Sequence, residues 1–260
     1  MEMWIGGGMK FTILGTGTSA LCRSRACCAY HVVKTGGGVG IDMGAGVLAR
    51  YCDAGIDFME LDALVLTHPA HVDHVGDLPM LLFSMNYTPG RIRTRPLPVY
   101  VPKGEGGFIK RVFDAFPKSH PKNFEVPVFE VDEKAYNLGG LVFNFVSMTH
   151  GTVPAVGVRI EDNGKQVAVT GDTEAGPWVV RLLKHADLAV MHCASAEGWG
   201  GPETHLNGVS AGQMAAQAEV RRLVITHRYP LGTDDEVLSQ IRQSYGGPVS
   251  FAMDLDVHIL

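Results

Sequence analysis

The sequence predicts a layered α/β architecture, on three observations. Short apolar runs, several of them β-branched and bounded by Gly, Pro or Asp, recur along the chain as strands do. Windows with apolar residues at three- and four-residue steps lie between them, as in amphipathic helices. Gly is abundant, at 32 of 260 residues, which fits many tight turns between short elements. Strands read at 10–14, 29–34, 38–42, 63–67 and 98–101, then at 124–131, 141–148, 155–160, 166–170, 188–192, 223–226 and 249–255. Helices read at 46–54, 75–87, 107–116, 177–184, 209–220 and 234–245. The last opens on Thr233-Asp234-Asp235-Glu236, a capping residue followed by an acidic first turn. Strands in two groups with helices interspersed pack as layers.

The length suits one large domain with a substantial core. No composition break, repeat or low-complexity tract divides the chain. Gly6-Gly7-Gly8 reads as the end of a flexible leader over residues 1–9, and residues 10–260 read as a single domain. A net charge of −5 argues against a nucleic-acid coat or basic tail. No apolar run approaches the roughly 20 residues that a membrane helix needs. The first ten residues lack the basic and apolar regions of a secretion signal. Five Cys is an odd number in a chain too large to need staples, so reduced thiols and a cytoplasmic home are expected. Cys22, Cys27 and Cys28 lack paired C-x-x-C spacing and read as core or loop thiols.

The histidines carry the chemistry. His68, His71 and His74 sit with Asp73 in Thr67-His68-Pro69-Ala70-His71-Val72-Asp73-His74, directly after the strand at 63–67. Strand ends are where loops converge side chains on a rigid sheet. Imidazoles and a carboxylate together are the ligands of catalytic zinc and similar borderline metals. His150, Asp172 and His227 each follow an apolar run in the same way. Alone, each is as well read as a turn or surface residue; with the cluster, they look like a ligand shell gathered from one sheet edge.

These motifs make the sequence resemble the metallo-β-lactamase superfamily of dinuclear metal hydrolases. Its pattern is H-x-H-x-D-H, then a His, an Asp and a His, each at a strand end. Phe11-Thr12-Ile13-Leu14-Gly15-Thr16-Gly17 and Gly40-Ile41-Asp42-Met43-Gly44 are similar to its opening strands and turns. The resemblance implies an αββα four-layer sandwich with two divalent metal ions per chain at one edge. Zinc is the expected metal, with manganese or iron as alternatives. By carry-over, His71, His150 and a further His hold one ion, Asp73, His74 and His227 the other, and Asp172 bridges them. The chain departs from the pattern at one point: Pro69 and Ala70, two residues, separate His68 from His71. A local bulge at the strand end would re-aim His68 inward as the further ligand.

The branch of the family follows from spacing. Only 172 − 150 = 22 residues separate His150 from Asp172, which leaves no room for the long arm that ribonuclease Z carries there. The family's His-Glu-Ala-Thr motif reads His192-Cys193-Ala194-Ser195 here, without the Glu, while its partner His is retained in His205-Leu206-Asn207. This resembles the small cyclic-phosphate phosphodiesterases. The expected substrate is therefore a small or cyclic phosphodiester, with Asp73 and Asp172 placing the metals that activate water. His205 is read as the proton donor to the leaving group in preference to a helix cap. His192 is read as packing or hydrogen-bonding behind the ligands. Arg91, Arg93 and Arg95 read by default as a solvated surface run, with phosphate contact at the mouth as the alternative. Residues 197–203, with Trp199, read as a mobile flap. Membrane and bulk nucleic acid are not expected partners; a homodimer is left open. The rival readings are a ribonuclease Z-like nuclease, a thioester or lactam hydrolase, and a non-catalytic binding protein of the same fold.

Overall fold

Many of the apolar runs form strands buried on both faces, which is why they read as continuous hydrophobic stretches rather than alternating ones. The structure, a computed structural model, describes residues 7–199 and 203–260. Six strands come first: β1 (Lys10–Gly15), β2 (Ala29–Val33), β3 (Val39–Ile41), β4 (Ala63–Val65), β5 (Val99–Val101) and β6 (Val128–Glu130). Then follow β7 (Tyr136–Leu138), β8 (Leu141–His150), β9 (Val153–Asp162), β10 (Lys165–Val169), β11 (Leu188–Ser195), β12 (Leu206–Asn207), β13 (Leu223–Thr226), β14 (Val249–Phe251) and β15 (Val257–Ile259). The helices are α1 (Val47–Asp53), α2 (Val72–Val75), α3 (Leu78–Tyr87), α4 (Phe108–Ala115), α5 (Pro177–Leu183), α6 (Gly208–Gln217) and α7 (Asp234–Arg242).

Among the described residues the strands form two sheets. One runs β15-β1-β2-β3-β4-β5-β6; the other runs β14-β13-β11-β10-β9-β8-β7, with β12 beside β11. Phe11, Ile13, Tyr30, Ile41 and Val65 of the first sheet meet Phe143, Phe145, Val158, Val169 and Val190 of the second in the central core. Val47 and Tyr51 of α1, Leu81 and Met85 of α3 and Ile109 of α4 cover the outer face of the first sheet. Leu182 of α5, Met214 of α6 and Ile241 of α7 cover the outer face of the second. The layers are therefore helix, sheet, sheet, helix, the αββα sandwich that the resemblance implies.

Strand direction sets which ends lie together. β3 and β4 run parallel, as do β10, β11 and β13, and β8 points the same way as β10 across the antiparallel β9. At their ends the two sheets are tied together where the Val156 N–H donates to the Thr67 carbonyl at 2.9 Å.

Several elements differ from those expected. The helix read at 75–87 is two helices, α2 and α3, with Gly76-Asp77 between them. The strand read at 124–131 shortens to the three residues of β6, an edge strand whose Phe129 is exposed. Pro127, just before it, has no N–H to donate, although its carbonyl still accepts from Val99 N at 2.8 Å. The run read at 249–255 stops at Phe251, because Asp254 turns inward. Its carboxylate accepts from Thr16 N, Thr16 Oγ1, Ala26 N and Arg50 Nε at 2.7–3.0 Å. Leu255 then takes a positive φ of 73°, and the chain reverses into β15. Residues 1–6 of the expected leader lie outside the described residues. Met9, read with that leader, is buried and exchanges two backbone hydrogen bonds with Leu260, at 3.1 and 2.9 Å.

His31 of β2 supplies a test of this core. It is buried, and its Nε2 lies 2.8 Å from the Gly37 carbonyl, so that nitrogen carries the proton and donates. Burial pushes its pKa down to about 4. An unfolded His titrates near 6.5. Between these values the unfolded chain binds the proton more readily, so folding stability falls as pH drops from 6.5 to 4 and is unaffected above 6.5. The expected loss is about 3 kcal/mol. His31→Gln keeps a donor but does not titrate. Denaturant unfolding at stepped pH should show a correspondingly flatter acid limb for the variant, and identical slopes would refute the assignment.

Candidate metal centre

The site begins with Asp42, directly after β3. It is fully buried and holds a positive φ of 59°, a conformation that non-glycine residues avoid unless the surroundings enforce it. Three hydrogen bonds enforce it. Thr67 N donates to Oδ1 at 2.7 Å, and Thr67 Oγ1 and His74 Nδ1 donate to Oδ2 at 2.8 and 2.7 Å. A carboxylate only accepts, so Nδ1 of His74 carries the hydrogen, and Nε2 faces the site. Thr67 Oγ1 has spent its hydrogen on Asp42, so it accepts from His68 Nδ1 at 3.2 Å, which turns His68 Nε2 to the site as well.

His71 caps α2, and the turn that follows carries Asp73 and His74. Two backbone bonds pin that turn: Cys28 N donates to the Asp73 carbonyl and Met43 N to the His74 carbonyl, at 3.1 and 2.7 Å. Gly44 makes this approach feasible. A Cβ there would sit 2.2 Å from the Asp73 carbonyl oxygen and 2.7 Å from the Cys27 Cβ. From the second sheet, His150 ends β8, Asp172 follows β10, and His227 follows β13 with a φ of 56°. His150 Nδ1 donates to the Thr204 carbonyl at 3.0 Å, leaving Nε2 for the site.

These side chains meet in one place. Ligand atoms of His68, His71, His150 and Asp172 all lie within 4.8 Å of one another, as do those of Asp172, His205 and His227. Asp172 Oδ2 is 3.5 Å from His68 Nε2, 3.4 Å from His74 Nε2, 3.8 Å from His150 Nε2 and 3.1 Å from His205 Nε2. Its Oδ1 is 3.3 Å from His227 Nε2, which also lies 3.8 Å from Asp73 Oδ2. Six of the seven residues expected as ligands, His68 among them, are therefore gathered with His205, and Asp73 reaches the group only at His227. His68 is fully buried despite its shifted spacing.

The donor set fits a divalent metal. His74 Nε2 and both ring nitrogens of His227 are buried without a hydrogen-bond partner, a costly arrangement unless something else binds them. Burial pushes the pKa values of His68, His150 and His227 down, which keeps these imidazoles neutral and able to coordinate. Burial opposes a charge on His74 too, but Asp42 and Asp172 outweigh it and raise its pKa well above 6.5. Burial likewise disfavours charge on Asp172, yet His227, His74 and the hydrogen bonds from His192 and His205 hold its pKa well below the usual carboxylate range. The pocket thus stabilises positive charge at Nε2 of His74, where a proton or a metal ion can supply it.

Other expectations resolve differently. The surface reading of Arg91, Arg93 and Arg95 holds for Arg91 and Arg95, whose side chains are about half exposed, and fails for Arg93. Arg93 is buried and donates to the carbonyls of Met59, Leu61, Arg95 and Pro96 at 2.6–2.8 Å. Arg91 pairs with Asp57, and Arg95 with Asp62 and Glu60. Helix capping does not occupy His205, since Asn207 caps α6 in a reciprocal pair with Ser210. Gly200 and Gly201 of the expected flap lie outside the described residues; Trp199 is half-exposed. Sequence reasoning assigns Asp42 no role in the site. A lone Asp after a short strand carries no spacing signal of its own.

Fold and site together define a metallo-hydrolase centre of the metallo-β-lactamase type. The chain belongs to the β-lactamase superfamily domain family, which matches residues 42–228. It is 28% identical to a protein named ribonuclease Z from Mycolicibacterium paratuberculosis, over 95% of this chain and 96% of that one. The crystal structure of the metallo-β-lactamase fold protein YhfI from Bacillus subtilis superposes with a TM-score of 0.83 at 22% identity, covering 97% of this chain and all of YhfI. A diphosphatase of the PhnP family superposes with a TM-score of 0.72 at 20% identity, over 96% of this chain and 97% of that one. Among the described residues no helix is long and apolar enough to cross a membrane.

His68→Ala removes one of four donors from the His68, His71, His150 and Asp172 group. Metal content by elemental analysis after desalting is expected to fall by about one ion per chain. Unchanged content would place His68 outside the ligand shell.

Proposed function

We propose that the protein is a phosphodiesterase that cleaves a small or cyclic phosphodiester with two divalent metal ions, zinc by preference. The observation that carries this reading is the compactness of the chain between His150 and Asp172. β8 turns into β9 at Gly151-Thr152 and β9 into β10 at Asn163-Gly164, so nothing in that interval leaves the sheet to grip a large substrate. His68, His71 and His150 would hold one ion, Asp73, His74 and His227 the other, and Asp172 both. Bound there, the ions would activate water and neutralise charge on the phosphoryl group.

The remaining work falls to His205. Its Nε2 faces the cluster 3.1 Å from Asp172 Oδ2, and its Nδ1 lies 3.2 Å from the Thr204 hydroxyl. That hydroxyl, rather than a glutamate, orients the ring, since Cys193 stands where the family carries Glu and its thiol points to the Ser195 carbonyl. A proton on His205 Nε2 is placed to pass to the departing alkoxide oxygen. Tyr229, edge-on to both His205 and His227 with centroids 6.0 Å apart, closes that side of the mouth.

The test is a panel of phosphodiester, ester, thioester and lactam chromogens on metal-analysed protein. About two ions per chain with turnover confined to phosphodiesters is expected; turnover confined to another class would overturn the reading. His205→Ala should retain both ions and lose about 10²–10⁴-fold in turnover on alkyl phosphodiesters, and far less on nitrophenyl esters, whose leaving group departs without a proton. Equal losses on both classes would show that His205 only positions substrate. Loss of metal would make it a ligand.

A further inference from the structure

Behind the cluster lies a buried line of polar groups that takes no part in the proposed hydrolysis. His192 Nδ1 is 2.7 Å from Asp172 Oδ1, and His192 Nε2 is 2.7 Å from the Tyr30 hydroxyl. The Cys28 thiol donates to that same hydroxyl oxygen at 3.4 Å. Cys28, Tyr30, His192 and Asp172 are each exposed by 2% or less, so water does not complete these bonds. The direction of the line follows from its end. Asp172 as a carboxylate can only accept, so His192 Nδ1 carries the hydrogen, Nε2 must then accept, and Tyr30 must donate. Every donor is used once and none is left over.

This line has a geometric consequence. The last torsion of an aspartate is broad and has no strong intrinsic preference, so the carboxylate plane needs an external constraint. His192 takes Oδ1 from the side of the second sheet. Oδ2 is then turned among the Nε2 atoms of His68, His74, His150 and His205. The line also spans the sandwich, because Tyr30 belongs to β2 and His192 to β11. His192 itself is held by its backbone N–H, which donates to Thr170 Oγ1 at 3.0 Å.

We propose that Tyr30 and His192 are positioning residues that set the rotation of the Asp172 carboxylate, and through it the affinity of the centre for divalent metal. This rests on the metal-binding reading of the site but not on the substrate.

The experiment uses Zn²⁺ titration against a chromophoric chelator on the metal-stripped full chain, with His192→Ala, His192→Asn and Tyr30→Phe. Removal of a group that orients a ligand costs about 10–100-fold in metal affinity, and that loss is expected for His192→Ala. His192→Asn puts an amide donor where Nδ1 was and should recover affinity to within about threefold of the parent. Tyr30→Phe frees His192 to take its other tautomer and should cost about tenfold. In proton NMR of the stripped parent, the solvent-excluded Nδ1 hydrogen of His192 should give a downfield resonance that disappears in His192→Ala and broadens in Tyr30→Phe. Near-UV circular dichroism of the stripped proteins separates misfolding from lost positioning. Should His192→Ala not fold, His192→Asn and Tyr30→Phe carry the test. Parental affinity in Tyr30→Phe together with an unbroadened resonance would overturn the proposal. So would an asparagine variant no better than the alanine one. A parent chain that binds Zn²⁺ yet hydrolyses no phosphodiester would overturn the proposed activity and leave this proposal standing.

Discussion

The centre depends on one buried carboxylate that touches no substrate. Asp42 receives the Thr67 backbone, the Thr67 hydroxyl and His74 Nδ1 within 2.8 Å. Those contacts decide which nitrogen of His74 faces inward and, through the threonine, which nitrogen of His68 does. The hydrogen bond made by one ring nitrogen decides which nitrogen is left to coordinate, so the carboxylate converts two ambiguous imidazoles into two directed donors. The left-handed backbone at Asp42 costs on the order of 1 kcal/mol or more, and a residue is kept there only when its surroundings over-determine it. Three hydrogen bonds to a charged group, each contributing about 1.5–3 kcal/mol, are enough to do so.

The same logic recurs from the second sheet. His150 is directed by the Thr204 carbonyl, His205 by the Thr204 hydroxyl, and Asp172 by His192. Each group is thus oriented from behind, with the line from Tyr30 through His192 to Asp172 crossing from one sheet to the other. The two half-shells meet only across the cleft, where the shared element is Asp172. Without a cation, unpartnered nitrogens of His74 and His227 are left in the protein interior. A divalent ion at the Nε2 atoms lowers that penalty, so metal binding and folding of this edge are expected to be coupled.

Much of this was legible in the sequence because it is local. The Thr67–His74 segment announces itself by composition within eight residues, and His150, Asp172 and His227, each weak alone at the end of an apolar run, stand out beside that cluster. What was not legible is held by distant partners. Asp254 ends a strand by reaching back to Thr16 and Ala26, more than two hundred residues away, and no local pattern marks it. Gly76-Asp77 divides one helical period into two helices because the turn carrying Asp73 must dock on Met43 and Cys28. Arg93 looks like a surface cation by composition and is a buried strut, its guanidinium spread over four carbonyls. Asp42 matters through what it touches beyond the neighbouring strand and Tyr30 through what it touches across the sandwich, and spacing along the chain cannot show either.

The two residues between His68 and His71, one more than in the family's motif, do not keep the two imidazoles apart. A one-residue insertion in the middle of a strand would invert every side chain beyond it. Here the insertion falls after β4 has ended and before α2 begins, where the backbone is not committed to a ladder. Thr67 is anchored before it, by Asp42 and by Val156, and Asp73 and His74 are anchored after it, by Cys28 and Met43. Pro69 and Ala70 therefore lie in a loop whose two ends are fixed independently. His68 and His71 still come together, with Nε2 of one 3.1 Å from Nδ1 of the other. The anchors on either side of the loop bring His68 and His71 together across the two intervening residues.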